Sequence, residues 1–337
     1  MRIAVIGAGR IGQTHAETLA AEPGVTQLMV ADIDEPRAAE VAQRLAATAL
    51  PVADALDAAD ALVIAAATSA HADLIRAGLA RRIPIFCEKP LAIDLAATYR
   101  LVDEIEAAET PFQLGFQRRF DAAYREARRL VATGSMGTLY AIHMTAHDHE
   151  PPPEHYIPTS GGFFRDAAIH DFDAIRWLTG DEVDTMYADG EVRGFEAFAR
   201  HGDVDTAACI MRMTSGVMGA LAGGRHNPRG YDIRMELVGS ADSVAIGLSE
   251  RTPIRPLDDG VWPMRSGWTG FAERFAEAYR EELRTFVGVA ASRAPSACTA
   301  RDGLEAMRIA EAATRSRLER RTIEMSEITL ERAGKEV

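Results

Sequence analysis

Short apolar runs recur along the first third of the chain, and each is followed by a longer stretch in which apolar positions return every three or four residues. The runs 2–6, 27–31, 61–66, 83–87 and 112–115 carry few polar residues, which predicts strands buried on both faces. Amphipathic stretches at 12–21, 36–46, 71–81 and 94–108 predict helices between them. Strand and helix in alternation build a parallel, doubly wound α/β sheet of the Rossmann type.

The pattern changes after Phe116. A helix at 121–132 leads through a turn at Gly134 and Gly137 to a strand at 139–146. A Pro- and Gly-rich loop covers 147–162, and a helix over 163–178 ends at Gly180. Strand-like segments follow at 183–192, 206–213, 216–222, 231–238 and 243–247, joined by short connections. They read as consecutive antiparallel strands of a large open sheet. Helices at 270–290 and 301–319 and a tail strand at 322–325 complete an α+β domain with a mainly antiparallel sheet. The chain therefore divides into domains 1–118 and 119–337.

The 337 residues suffice for two cores, and 47% of them are hydrophobic, as in an ordinary globular protein. A net charge of −13 argues against nucleic acid or an anionic membrane as partner. No apolar stretch approaches the ~20 residues of a membrane span. The start of the chain lacks a signal-peptide pattern, and Cys87, Cys209 and Cys298 are too scattered for a disulfide framework. A cytoplasmic location and reduced, partly buried thiols are expected.

The first strand runs into Gly7-Ala8-Gly9-Arg10-Ile11-Gly12. In a dinucleotide site Gly7 makes the turn, Gly9 lets backbone approach a pyrophosphate, and Gly12 lets helix pack on strand. The phosphates meet free N–H groups at the helix start. Asp32 ends the second strand 20 positions after Gly12, where a carboxylate binds ribose hydroxyls. Asp32 and Asp34 repel a 2′-phosphate, so NAD is expected over NADP, although Arg37 could swing toward such a phosphate. Arg10, Ile11 and Ile33 complete this group of candidate cofactor contacts. After the third strand, Thr68 or Ser69 caps a helix, or Thr68 and His71 stand beside the nicotinamide half, and both readings can hold.

Glu88-Lys89-Pro90 closes the fourth strand, and Pro90 stops it. A lysine at the carboxyl end of a parallel strand faces the ligand crevice, or it is a solvated strand-end charge. Asp166 and His170 stand at i and i+4 of the predicted 163–178 helix, so carboxylate and imidazole can touch. They form either an ordinary surface pair or a general base for alcohol oxidation, with Lys89 as the positive charge beside the oxygen. His143, His147, His149 and His155 flank Pro151-Pro152-Pro153, which suits a polar lid better than a closed ligand set, so no metal is expected. In Gln117-Arg118-Arg119, one arginine is read as an interface tether and the other as a possible substrate contact. Tyr231 opens a strand and by itself reads as a core or edge residue.

Taken together, the glycine motif, Glu88-Lys89-Pro90, and Asp166 with His170 resemble the Gfo/Idh/MocA oxidoreductases, over nearly the whole chain. Within that family, Gly115–Asp121, Ser160–Asp166, Ile169–Asp173 and Gly230-Tyr231-Asp232 are similar to inositol 2-dehydrogenases. The resemblance implies that Lys89 binds the reacting hydroxyl, His170 is the general base and Asp166 its partner. It implies that Arg118, His147 and Tyr231 line a polyol site, that Glu88 and Lys89 also touch cofactor, and that Asp32 selects NAD. The implied substrate is a small cyclic polyol or sugar. Myo-inositol comes first, with scyllo-inositol, an aldose or an amino-sugar precursor as alternatives, and a non-catalytic NAD-binding sugar sensor last. Homotetramers through the open sheet face are implied as well. One departure is Ala146-His147-Asp148, where several inositol dehydrogenases have a Ser-Arg-Asp-like sequence.

Overall fold

The computed structural model describes residues 1–257 and 265–330. By contacts the chain divides into two units, Met1–Phe120 with Glu277–Leu304, and Asp121–Ala276 with Glu305–Val337. A single cut at 118/119 would place 277–304 in the second unit.

The first unit holds β1 (Arg2–Ile6), β2 (Gln27–Ala31), β3 (Thr48–Ala49), β4 (Ala61–Ile64), β5 (Ile85–Glu88) and β6 (Phe112–Gly115). They form one parallel sheet in the order β3-β2-β1-β4-β5-β6. The order reverses at β1, whose neighbours β2 and β4 leave in opposite directions, and the carboxyl ends there open the crevice used by such sheets. The apolar runs became strands because Ile3, Val5, Val63 and Phe86 are fully buried in one cluster. Leu283, Phe286, Val287 and Ala290 join that cluster from the helix Ala276–Ser292. This i, i+3, i+4, i+7 stripe explains why the distant segment belongs here. Two elements escape a pattern reading, β3 and the helix Val52–Ala58. Both β3 residues are exposed, so no apolar run announces that strand.

Glu282 lies on the buried side of the same helix and is fully buried. Burial, with the Glu88 charge adding to it, pushes its carboxyl well above the usual range. The folded protein then holds a proton that the unfolded chain releases above a pH of about 4.3, so stability is full below that point and falls as pH rises. Glu282→Gln removes this dependence. Its thermal midpoint relative to the parent should rise more at pH 8 than at pH 4.5, and an equal shift at both would refute the assignment.

The second unit holds β7 (Leu139–His147), β8 (Val183–Glu191), β9 (Thr206–Met213), β10 (Met218–Gly224), β11 (Asp232–Gly239), β12 (Ser243–Ile246) and β13 (Ile323–Glu324). The sheet order is β12-β11-β7-β10-β9-β8-β13. The expectation of strands paired strictly in sequence is corrected at one place. β10 keeps its antiparallel hairpin with β9 on one edge and lies parallel to β7 on the other, while β11 takes the far edge of β7. Exposure alternates residue by residue in β9, as a sheet with one covered face requires. Tyr140, Tyr187, Ile210 and Met218 are among the exposed large apolar side chains of this sheet.

Two helices are broken. The stretch 270–290 is interrupted at Phe275. The stretch 163–178 is two helices, Phe163–Asp166 and Ile169–Thr179. The Ala168 N–H reaches back five residues to the Phe163 carbonyl at 3.1 Å, which offsets the register by one residue. Gly180 ends the second helix in the left-handed conformation, φ 64°.

Candidate functional site

In the first unit the glycine loop is fixed by sterics. Gly7 has φ +107°, and a Cβ there would lie 2.5 Å from the backbone of Ala65. A Cβ on Gly12 would lie 1.9 Å from the Gly7 carbonyl oxygen. Gly9 differs, since a Cβ there would meet nothing within 4 Å. Gly9 caps the helix Arg10–Ala20 without a side-chain bond, so the first helical N–H groups are left to a ligand. This is a cradle in which two glycines shape the turn and the third keeps the approach to the backbone clear.

Asp32 stands at the end of β2 beside that loop. Its Oδ2 accepts from the Ala8 N–H at 2.6 Å and its Oδ1 from the Asp34 N–H at 2.9 Å. One carboxylate thus braces the glycine loop and presents negative charge next to it. Arg37 donates to Asp34 at 2.5 Å, an engagement that competes with any reach toward a 2′-phosphate. Ile33 is 98% exposed, an apolar face held in water next to Asp32. Arg10 is exposed and Ile11 half-buried.

At the carboxyl ends of β4 and β5 the remaining first-unit candidates gather. Ala67 occupies the cap of the helix Thr68–Arg81, so neither Thr68 nor Ser69 caps it. His71 is buried, with Nδ1 2.8 Å from the Pro90 carbonyl and Nε2 3.1 Å from that of Ala66. Burial holds its imidazole below the usual range although both carbonyls oppose the shift. The ring lies between the segment just after β4 and the turn after Lys89. That turn contains a cis Lys89–Pro90 peptide. Glu88 points inward, with Oε1 2.7 Å from His15 Nε2 and Oε2 accepting from the Lys89 N–H at 3.2 Å. Lys89 is half-buried at the strand end. Arg118 and Arg119 are buried in the turn Gln117–Phe120. Arg119 pairs with Asp302 at 3.0 Å and donates to the Ala297 carbonyl at 3.0 Å, both within the first unit.

In the second unit the candidates collect where strands end. The parallel pairing of β10 with β7 sets Gly224 opposite His147, and the antiparallel pairing of β11 sets Asp232 opposite the same residue. Burial lowers the His147 pKa, with the Asp232 charge opposing and Arg234 reinforcing. Asp232 itself pairs with Arg234 at 2.8 and 3.1 Å. Tyr231 is buried and donates its N–H to the Trp268 carbonyl at 2.7 Å.

Asp166 ends the short helix Phe163–Asp166, and His170 is half-buried at the start of the next. The single straight helix expected to stack them is absent. The Asp166 carboxylate accepts from the Tyr156 hydroxyl at 2.9 Å and from Arg225 Nη2 at 2.5 Å. Arg225 also reaches Asp148 at 3.2 Å. Pattern reading singled out neither Arg225 nor Tyr156, nor His15 under Glu88. The available signal was Gly223-Gly224-Arg225 at a strand end, but its meaning depends on a parallel pairing with β7.

Comparison with known proteins matches residues 1–116 to the model "Oxidoreductase family, NAD-binding Rossmann fold" and residues 124–245 to the "GFO/IDH/MocA C-terminal domain". The chain is 35% identical to a myo-inositol 2-dehydrogenase of Thermotoga maritima over 333 residues, covering 97% of this chain and 99% of that one. It is 37% identical to a myo-inositol dehydrogenase of Streptomyces leeuwenhoekii over 321 residues, 94% of this chain and 97% of the relative. It also resembles the crystal structure of a Lactobacillus casei scyllo-inositol dehydrogenase with bound NAD(H) and scyllo-inositol. There the TM-score is 0.86 at 27% identity, covering 97% of this chain and 99% of that one.

Proposed function

The chain belongs to the GFO/IDH/MocA oxidoreductase family, with NAD as its cofactor, and from that premise we propose that it oxidises one secondary hydroxyl of a cyclic polyol, myo-inositol first, to the ketone. The observation that carries this reading is the similarity to inositol dehydrogenases over nearly the full length of both chains. Lys89, Asp166 and His170 are the residues assigned to the chemistry.

His170 takes the hydroxyl proton, and Lys89 holds the oxygen by its positive charge as that proton leaves. Asp166, an acceptor already aimed by two donors, receives a hydrogen bond from the substrate side. Arg118, His147 and Tyr231 are assigned to the polyol. Gly7, Gly9, Arg10, Ile11, Gly12, Asp32, Ile33, Thr68, His71, Glu88 and Lys89 are assigned to the cofactor, with Glu88 and His71 acting through the turn that carries Lys89. NAD supplies the acceptor for the hydride that leaves the alcohol carbon.

Scyllo-inositol is the second reading, favoured by the likeness to the Lactobacillus casei enzyme. An aldose or amino-sugar precursor and a non-catalytic sensor stand behind it. A panel of inositols and pyranoses with NAD, followed by NADH absorbance, should show the highest kcat/KM for myo-inositol. A higher value for another polyol would replace the substrate, and no turnover on any would favour the sensor. In the same panel Asp32→Ser should gain NADP use, and no gain would remove Asp32 as the selector. A homotetramer formed through the open sheet face and a cytoplasmic setting complete the proposal, the first checked by light-scattering mass. No helix among the described residues is long and apolar enough to cross a membrane.

A further inference from the structure

The pairing of β11 with β7 begins at Asp232, opposite His147. Tyr231 lies one residue before that pairing and is bridged to Trp268, whose carbonyl accepts the Tyr231 N–H at 2.7 Å. A residue assigned to the polyol is thus bonded through its main chain to the segment 265–269. That segment is pressed close, since a Cβ on Gly267 would lie 2.3 Å from the Arg229 carbonyl oxygen and 3.0 Å from the Pro253 side chain. Arg251 clasps it. The guanidinium carbon stands 3.7 Å from the centre of the Trp268 ring. Nε donates to the Ser266 carbonyl at 3.1 Å and Nη2 to that of Gly267 at 3.2 Å. Nη2 also lies 2.7 Å from Glu273 Oε1, while Glu273 Oε2 accepts from the Thr269 N–H at 2.9 Å and its hydroxyl at 2.8 Å. Arg251 itself stands on a braced turn. Its N–H donates to Ser249 Oγ at 3.1 Å, and the Ser249 N–H donates to Thr252 Oγ1 at 2.8 Å. A planar guanidinium stacks by its face and donates by its edge, so one side chain engages ring, carbonyls and carboxylate together.

We propose that Arg251 is a positioning residue for the polyol: by clasping Trp268 and the carbonyls beside it, it fixes where Tyr231 stands and so sets the affinity for the polyol, with no part in proton or hydride transfer. The inference rests on the reading of Tyr231 as a polyol residue. Tyr231 and its neighbour Asp232, which faces His147 across the strand pair, bring two residues assigned to the polyol to one end of the sheet. The clasp acts on this end through the bridge from Trp268 to Tyr231. With the clasp removed, the segment 265–269 must be ordered each time the polyol binds, and that cost is taken from the affinity. None of the contacts described for Arg251 involves Lys89, Asp166 or His170. The loss therefore falls equally on the bound substrate and on its transition state, which raises KM and leaves kcat in place.

The test uses the full-length enzyme with NAD and its best polyol. Arg251→Met keeps an unbranched side chain against the indole and removes the fork of donors. It should raise the polyol KM about tenfold, with kcat and the KM for NAD within about threefold of the parent. Arg251→Lys should recover part of that loss, because an ammonium still meets the ring and Glu273 but cannot match the fork. Glu273→Gln, at an exposed residue, should raise the polyol KM by less, and it carries the test if Arg251→Met does not fold. Combined with Arg251→Met it should cost less than the two changes apart, since both act on one segment. A fall in kcat with KM unmoved would overturn the proposal. So would a lower thermal midpoint with both constants at the parent level, the mark of a merely structural role. Tyr231→Phe with the polyol KM at the parent level would instead overturn the reading of Tyr231, and this inference with it.

Discussion

Lys89→Ala and His170→Ala should each lower turnover by about 10²–10⁴-fold, the range for loss of a positioned acid–base group or of the charge that steadies a developing oxyanion. NAD affinity should stay within a few-fold in His170→Ala, since the cradle at Gly7, Gly9, Gly12 and Asp32 is intact, and fall less than turnover in Lys89→Ala, which also loses a contact assigned to the cofactor. Steady-state kinetics with a cofactor titration separates the effects. Turnover near the parent level in either variant would sink the assignment of that residue. Lys89 gives the sharper test, because its backbone is held independently of its ammonium group. Its N–H donates to Glu88, Glu88 meets His15, and His71 bonds the Pro90 carbonyl. Removing the side chain therefore leaves the turn in place, and the loss reports chemistry rather than local collapse.

Gly12→Ala and Gly9→Ala should part company. At Gly12 the new methyl would stand 1.9 Å from the Gly7 carbonyl oxygen and 2.8 Å from its carbon, and both are backbone. Gly7 itself has no room for a side chain, since a Cβ there would lie 2.5 Å from the Ala65 backbone. Helix and loop must separate, at a cost of about 1–3 kcal/mol or more, and NAD affinity should fall by at least about 100-fold with a clear drop in thermal midpoint. At Gly9 the conformation is ordinary, φ −72°, and the methyl meets no protein atom within 4 Å. Gly9→Ala should keep its thermal midpoint yet weaken NAD binding, because the methyl occupies the approach to the helical N–H groups. Equal losses of stability in the two variants would show that Gly9 is a packing glycine and not an opening.

The dinucleotide half was legible because its signals are local. A tight turn, a close helix packing and a carboxylate at the next strand end each leave a mark within a few residues, and β1, β2, β4, β5 and β6 are short apolar runs that nothing else could bury. The strand β3 left no mark because its two residues are exposed. The second unit was legible as strands but not as a sheet. Nothing in 216–222 says that this segment prefers β7 as a parallel neighbour, because side-chain alternation reports which face is covered and not which strand lies alongside.

The same limit applies to the candidate site. Lys89, Asp166 and His170 could be named as candidates from the chain, each open to a plain structural role until the family resemblance joined the three. The further partners of Asp166 could not. An i, i+4 spacing pointed to His170, and the structure adds Tyr156 and Arg225, the latter 59 residues away, as donors to that carboxylate beside a helix break at Ala167–Ala168. By itself, then, the amino-acid order determined the elements, the cofactor cradle and the reactive residue types, all of which depend on neighbours along the chain. Only the tertiary structure decided which charges meet. A buried carboxylate must find its cation wherever parallel pairing and helix breaks deliver one, and that choice is made across the sheet rather than along the sequence.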